Sequence, residues 1–264
     1  MTNPGAFDLI VSDIDGCLQP ESNAPMDLNS LAAIAEWNRA AADFGDRPPL
    51  TLCSGRPQPF AEAMCKLLSN LRIPCVCENG VWLYHPGTND YLLDPAIRDD
   101  HRAAVREASE WLRCEFGARG VTQQPGKVAS VSLYHPDTGV LREIMPRITE
   151  EFARRGWPLR TSMTWLYINC DLVHVSKATG MRRLLGMLGV PSHRVAGIGD
   201  TMSDIAILEN VGWFACPANA AEELKRLAHF VAAEPEAKGV LLILDLLRRS
   251  DPGQGRMSMA SPNE

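Results

Sequence analysis

The sequence predicts an α/β protein: a parallel-sheet core with a smaller α+β unit inserted into it. Three observations carry that expectation. Apolar strand-like runs alternate with helical patterns over the first sixty residues, and the same rhythm returns after residue 173. Between about Trp82 and Asp171 the texture changes to short β-like runs broken by Pro and Gly turns. At 264 residues the chain exceeds the usual size of one domain, which leaves room for two units.

In chain order, Phe7 to Ser12 is apolar and reads as a strand, and Leu28 to Ala42 has helical spacing. Leu50 to Cys53 is a second apolar run, followed by Ser54-Gly55-Arg56-Pro57, where Pro57 suits an early helix position. Such an alternation implies parallel strands joined by crossovers. Late in the chain we expect a helix over about 178–188, a strand over Val195 to Ile198 and a helix over about 203–210. A strand over Gly212 to Cys216 and a helix pair over about 220–227 and 239–249 complete the series. Inside the insert, helical patterns run near 98–116 and 139–155. There Leu83-Tyr84-His85-Pro86-Gly87-Thr88 is echoed by Leu133-Tyr134-His135-Pro136-Asp137-Thr138, which reads as two equivalent strand-to-turn corners. Exposed turn histidines, or a metal site from His85 and His135, are both readings of the echo. The expected division is residues 1–81 and 173–249 for the core, 82–172 for the insert, and a disordered Ser-, Pro-, Gly- and Met-rich tail at 250–264.

A hydrophobic content of 45% with 22% charged residues supports a folded core. No apolar run approaches the roughly 20 residues of a membrane helix, and Met1-Thr2-Asn3-Pro4-Gly5 does not open a secretion signal, so we expect a cytoplasmic protein with no membrane partner. The eight cysteines, Cys17, Cys53, Cys65, Cys75, Cys77, Cys114, Cys170 and Cys216, are scattered, several inside apolar runs. They read as buried reduced thiols rather than disulfides, and Cys75-Val76-Cys77 lacks the spacing of a zinc-binding pair. The net charge of −6 gives no footprint for nucleic acid, so an anionic ligand would need a locally positive pocket.

Four strand ends carry the chemistry. Leu9-Ile10-Val11-Ser12-Asp13-Ile14-Asp15-Gly16 is a buried strand ending in two carboxylates one residue apart, so Asp13 and Asp15 leave on the same side. Their repulsion asks for a cation, and Mg2+ suits a site of one or two carboxylates plus phosphate oxygens. A calcium loop fails, because its glycine would fall at Leu18 and its terminal glutamate at Ala24. Ser54-Gly55-Arg56 offers a hydroxyl and amides to an anion, although Ser-Gly turns are common. Ser176 caps a predicted helix from whose first turn Lys177 projects, where the helix dipole disfavours a cation. Gly199-Asp200-Thr201-Met202-Ser203-Asp204 ends a strand in a second acid pair, spaced four residues apart. A dinucleotide reading of Gly197-Ile198-Gly199 fails, since its third glycine position is Met202.

The order and local sequence of these four elements resemble the haloacid-dehalogenase superfamily from about residue 7 to 248. Glu78-Asn79-Gly80, Pro217-Ala218-Asn219-Ala220 and Lys238-Gly239-Val240 look more narrowly like its Cof-type and sucrose-phosphatase-like members. The resemblance implies a Rossmann-like core with a C2B-type α+β cap at 82–172. It implies Asp13 as nucleophile forming an aspartyl-phosphate, Asp15 as general acid and then base, and Ser54, Gly55 and Lys177 gripping the phosphoryl oxygens. Mg2+ would be held by Asp13, Asp15 through its backbone carbonyl, and Asp200, with Asp204 ordering its waters or orienting Lys177. A looser substrate set comprises Lys127, Ser130, Arg160, Tyr167 and Asn169 in the cap, and Arg56, Asn79 and Asn219 in the core. Two residues depart from the family pattern: Cys17 stands where threonine is usual, and Ser203 where Cof-like members carry asparagine. Cys17 and Cys53 beside the site raise the question of thiol oxidation. The implied activity is hydrolysis of a small phosphorylated metabolite, a sugar phosphate or phosphorylated small acid. A mutase or phosphotransferase, a dehalogenase and a non-catalytic metabolite-binding module are the alternatives.

Overall fold

The computed structural model describes residues 7–164 and 166–249. The tail expected to be disordered, 250–264, lies outside the described residues. In chain order, β1 (Leu9–Ser12), α1 (Leu28–Phe44), β2 (Leu50–Leu52), α2 (Gln58–Leu67) and β3 (Cys75–Cys77) come first. Next are β4 (Trp82–His85), β5 (Asp90–Leu93), α3 (Asp99–Phe116), β6 (Thr122–Gln123), β7 (Ser130–Tyr134), α4 (Thr138–Arg155), β8 (Leu159–Met163) and β9 (Tyr167–Leu172). The chain continues with α5 (Lys177–Leu188), β10 (Val195–Ile198), α6 (Ile205–Leu208), β11 (Trp213–Cys216), α7 (Glu222–Lys225), β12 (Phe230–Val231) and α8 (Glu236–Arg249).

Five strands form a parallel sheet in the order β12-β11-β10-β1-β2. The apolar run of β1 is continuous because both of its faces are covered. Ile10 packs with Leu31, Ile34 and Trp37 of α1 and Ile243 of α8. Leu9 and Val11, on the opposite face, pack with Met181 and Leu184 of α5 and with Phe214. Asp27 caps α1 by accepting from the Ser30 amide, and Gly45 ends it in the left-handed conformation. In the β1–β10 register Leu9 lies opposite Val195 and Ser12 opposite Ile198, so the turns after these strands open side by side.

Between β3 and α5 the chain makes a hairpin of β4 and β5 and a four-stranded antiparallel sheet in the order β6-β7-β9-β8. In β9, Ile168, Cys170 and Leu172 turn toward a core filled by Val105, Leu112 and Phe116 of α3 and Leu141, Ile148 and Phe152 of α4. Strand alternation sends Tyr167, Asn169 and Asp171 to the other face, where Ser132 and Ser162 lie opposite Asn169. That face is polar.

Some expected elements are shorter than their patterns. The helix expected over 203–210 begins as a 3-10 turn, Met202–Asp204, because Asp204 folds back to accept the Asp200 and Thr201 amides. The helix expected over 220–227 contracts to α7, and β12, only two residues long, carries too little pattern to be read from sequence. Among the described residues no helix is long and apolar enough to cross a membrane.

Seven of the eight cysteines are buried thiols and Cys114 is exposed. Burial drives Cys17 and Cys53 well above the ordinary thiol range, with nearby carboxylates adding to the shift, so both lack the thiolate character on which oxidation depends. We therefore expect iodoacetamide to add a single carbamidomethyl group to the native protein, at Cys114, with activity unchanged. Peptide mass spectrometry showing rapid labelling of Cys17 or Cys53 would contradict this.

Candidate active site

The turn after β1 is fixed by its neighbour: the Asp13 amide donates to the Ile198 carbonyl of β10 at 3.0 Å. The buried Asp13 carboxylate accepts from the Ile14 amide at 2.7 Å through Oδ1 and from Lys177 Nζ at 2.7 Å through Oδ2. Lys177 is the first residue of α5, whose cap is the Ser176 hydroxyl accepting from the Thr179 amide. Its ammonium also donates to Asp204 Oδ1 at 2.7 Å, and thereby ties the ends of β1, β10 and α5 together. Two glycines make this closeness possible. A Cβ at Gly16, whose φ is +72°, would meet Asp200 Oδ2 at 1.8 Å, and one at Gly199 would meet the Asp204 Cβ at 2.4 Å.

Oxygens of Asp13, Asp200 and Asp204 lie within 4.8 Å of one another, all three residues being buried. Three carboxylates meet a single ammonium, which pairs with Asp13 and Asp204 and leaves Asp200 without a cation in a poorly solvated place. Burial, then repulsion from Asp204, push Asp13 and Asp200 upward, against the pull of Lys177. Burial alone would lower Lys177, but Asp13 and Asp204 outweigh it and hold the amine well above its usual range. Asp200 Oδ1 is buried with no hydrogen-bond partner. An unpaired oxygen in an all-oxygen pocket of three crowded carboxyl groups fits a hard divalent cation.

Asp15 leaves the strand end differently. Its carboxylate accepts from Gln19 Nε2 at 2.7 Å and is gripped by Arg56, whose Nε donates to Oδ2 at 2.8 Å while a terminal nitrogen donates to Oδ1. The guanidinium sits over Phe60 and over Tyr167 from the antiparallel sheet, 5.0 and 5.7 Å from the ring centres. Ser54 Oγ accepts from the Arg56 amide at 3.2 Å, which makes Ser54-Gly55-Arg56 a tight turn beside the carboxylates.

A cavity of about 420 Å³ opens over these groups. Of the residues singled out in the sequence, Asp13, Asp15, Ser54, Gly55, Arg56, Asn79, Lys127, Arg160, Tyr167, Asn169, Lys177 and Asp200 line it, and Asp204 lies beneath. Ser130 and Asn219 do not line it. Ser130 Oγ donates to Glu78 Oε1 at 2.9 Å, and Asn219 Nδ2 braces the acid loop by donating to the Gly16 carbonyl at 2.8 Å. Nor do His85 and His135 form a metal site: both are half-buried, and each Nδ1 accepts turn amides, from Gly87 and Thr88 or from Asp137. Sequence reasoning missed Gln19, Gln124 and Asp171, which carry no motif signal. It quoted Glu78 only as part of a motif, yet its buried Oε1 accepts from the Val128 and Ala129 amides, both at 2.8 Å, as well as from Ser130.

Comparison with known proteins agrees with this geometry. A family model described as haloacid dehalogenase-like hydrolase matches residues 122–244. A phosphoglycolate phosphatase of Sulfolobus acidocaldarius is 29% identical over 241 residues, 88% of this chain and 93% of the relative. Phosphoglycolate phosphatase 1 of Saccharolobus solfataricus is 23% identical over 92% of this chain and 96% of its own length. Among solved structures, a Thermoplasma acidophilum protein superposes with a TM-score of 0.70 at 18% identity, covering 92% of this chain and 98% of that one. The sucrose-phosphatase of Synechocystis, solved with sucrose and phosphate, superposes at 0.65 and 18% identity, again over 92% and 98%. These structural likenesses concern the fold. By the family model over 122–244 and by relatives that align along most of its length, the chain is similar to the haloacid-dehalogenase-like hydrolases. The curated relatives it matches along most of its length are phosphatases, and its fold is that of the sucrose-phosphatase and the other solved structures.

Proposed function

We propose that the protein is a magnesium-dependent phosphatase that hydrolyses a small phosphate monoester through an aspartyl-phosphate on Asp13. The observation that carries this reading is the buried set of Asp13, Asp200 and Asp204 at adjoining strand ends, with the Lys177 ammonium paired to Asp13 and Asp204. The curated relatives named phosphoglycolate phosphatases favour a phosphorylated small acid over a sugar phosphate. Residues 82–172 would act as a cap over a core of 1–81 and 173–249, and a cytoplasmic location suits the unoxidised thiols.

Asp13, Asp200 and the backbone carbonyl of Asp15 would hold Mg2+, with Asp204 orienting Lys177 and the ion's waters. When bound, Mg2+ neutralises charge that builds on the transferred phosphoryl group. The Ser54 hydroxyl, the Gly55 amide and the Lys177 ammonium hold phosphoryl oxygens. A carboxylate oxygen of Asp13 attacks phosphorus, and the bond from phosphorus to the leaving oxygen breaks. Asp15 gives its proton to that oxygen, so the alcohol departs neutral. The same carboxylate then takes a proton from water, whose oxygen attacks phosphorus and breaks the bond to Asp13. Because Arg56 and Gln19 hold Asp15 in this structure, that pairing must open for either proton transfer.

The test is release of inorganic phosphate from a panel of phosphorylated sugars and small acids, with Mg2+ and after its removal by EDTA. We expect turnover only with Mg2+, and 2-phosphoglycolate among the compounds hydrolysed. Transfer of phosphate to a second hydroxyl without free phosphate would identify a mutase instead, and silence across the panel would count against catalysis.

A further inference from the structure

Four cations line the cavity: Arg56, Lys127, Arg160 and Lys177. Lys177 is divided between Asp13 and Asp204, and Arg56 is paired with Asp15. Arg160 donates to the carbonyls of Leu172 at 2.7 Å, Val173 at 3.0 Å and Val175 at 2.7 Å, and its guanidinium lies 3.9 Å from Asp171 Oδ2. Lys127 differs from all three. Its ammonium donates to Ser132 Oγ at 2.5 Å, and that hydroxyl donates onward to Asn169 Oδ1. Among the described residues it forms no ion pair, which leaves two of its three donors without a protein partner. Burial pulls its pKa below the usual lysine range, and Asp171 and Glu78 oppose that pull from beyond ion-pair distance.

This is a clamped cation rather than a wandering surface lysine. The backbone just after it is pinned where Glu78 Oε1 receives the Val128 and Ala129 amides. The partner hydroxyl stands on β7, on the polar face of the antiparallel sheet, opposite Asn169. An ammonium held at a cavity wall at a desolvation cost has a use if a ligand brings the missing anion.

We propose that Lys127 is the specificity-determining cation for the leaving group: it binds a carboxylate borne by the alcohol half of the phosphate monoester. The preferred substrate class is then a short phosphorylated hydroxy acid. One positive charge matches one carboxylate, whereas a second phosphate dianion would bring more negative charge than the Lys127 ammonium supplies. The assignment rests on the phosphatase reading above and adds to it the group recognised in the leaving half of the substrate.

The experiment measures kcat/KM for 2-phosphoglycolate and for p-nitrophenyl phosphate, which has no carboxylate, in the wild type and in Lys127→Met. The ratio of the two values should fall by about 30- to 100-fold, the scale of a lost charge-assisted contact. Lys127→Gln should lower it similarly if Lys127→Met folds poorly. An unchanged ratio, whether both activities persist or both decline, would overturn the proposal. A second arm needs no turnover: 2-phosphoglycolate is titrated calorimetrically, with Mg2+, into Asp13→Asn and into Asp13→Asn combined with Lys127→Met. Weakening of Kd by a similar factor supports the assignment, and equal Kd values overturn it. Should the wild type release no phosphate while the Kd difference stands, the phosphatase reading falls and the carboxylate site remains.

Discussion

Asp13→Asn is expected to reduce phosphate release by 10⁴-fold or more, on the order of the loss seen when the nucleophile of a covalent mechanism is removed. The variant is close in shape but offers one oxygen where the wild type offers two. It can therefore keep the Ile14 amide or the Lys177 ammonium as donor, not both. Lys177 still has Asp204, and one fewer carboxylate is buried, so the protein should remain folded. Release measured beside circular dichroism separates the outcomes. Lost turnover with an intact spectrum supports Asp13 as nucleophile, whereas turnover within tenfold of the wild type would remove it from the mechanism.

Asp200→Asn should have opposite effects on stability and on metal response. Asp200 faces Asp13 and Asp204 with an unpartnered buried oxygen, and no ammonium lies within hydrogen-bond reach among the described residues. Neutralising it relieves repulsion without orphaning a cation, which should stabilise the metal-free protein by about 1–3 kcal/mol and raise Tm by about 3–8 °C. The wild type should gain stability with rising Mg2+ concentration, as any site that binds only the folded state does, and the variant should lose most of that gain. Thermal melts across a Mg2+ series would measure both. A lower Tm for the metal-free variant would mean that Asp200 supports the fold rather than a cation.

The carboxylate-lined half of this cavity was legible in the sequence because buried parallel strands announce themselves. Leu9-Ile10-Val11-Ser12 and Val195-Ala196-Gly197-Ile198 are unbroken runs covered on both faces, and whatever polar residue ends such a run emerges at the sheet's carboxyl edge. The spacing of Asp200 and Asp204 also predicted their closeness, although a 3-10 turn rather than a regular helix delivers it. The half built on the antiparallel sheet was less legible. Ser130 and Ser132 share the same strand parity, and only the pairing with β9 and the contact with Glu78 separate the one that binds a core carboxylate from the one that holds Lys127. Lys127 and Arg160 look equivalent as letters. What distinguishes them is that Arg160 donates to three carbonyls, a tertiary fact with no local signature. Gln19 was missed for a similar reason: it lies in a loop and matters only because the chain turns at Gly16 and returns it to Asp15.

Gly80 and Ser176 lie against each other, so closely that a Cβ on Gly80 would come within 2.3 Å of the Ser176 carbonyl oxygen. The long excursion from Trp82 to Leu172 therefore begins and ends at almost one point. Loop-closure entropy grows only slowly with length, so lengthening or replacing what lies between those ends costs the parallel sheet little. Such an arrangement lets that stretch of sequence change while the carboxylates and the lysine at the strand ends keep their places.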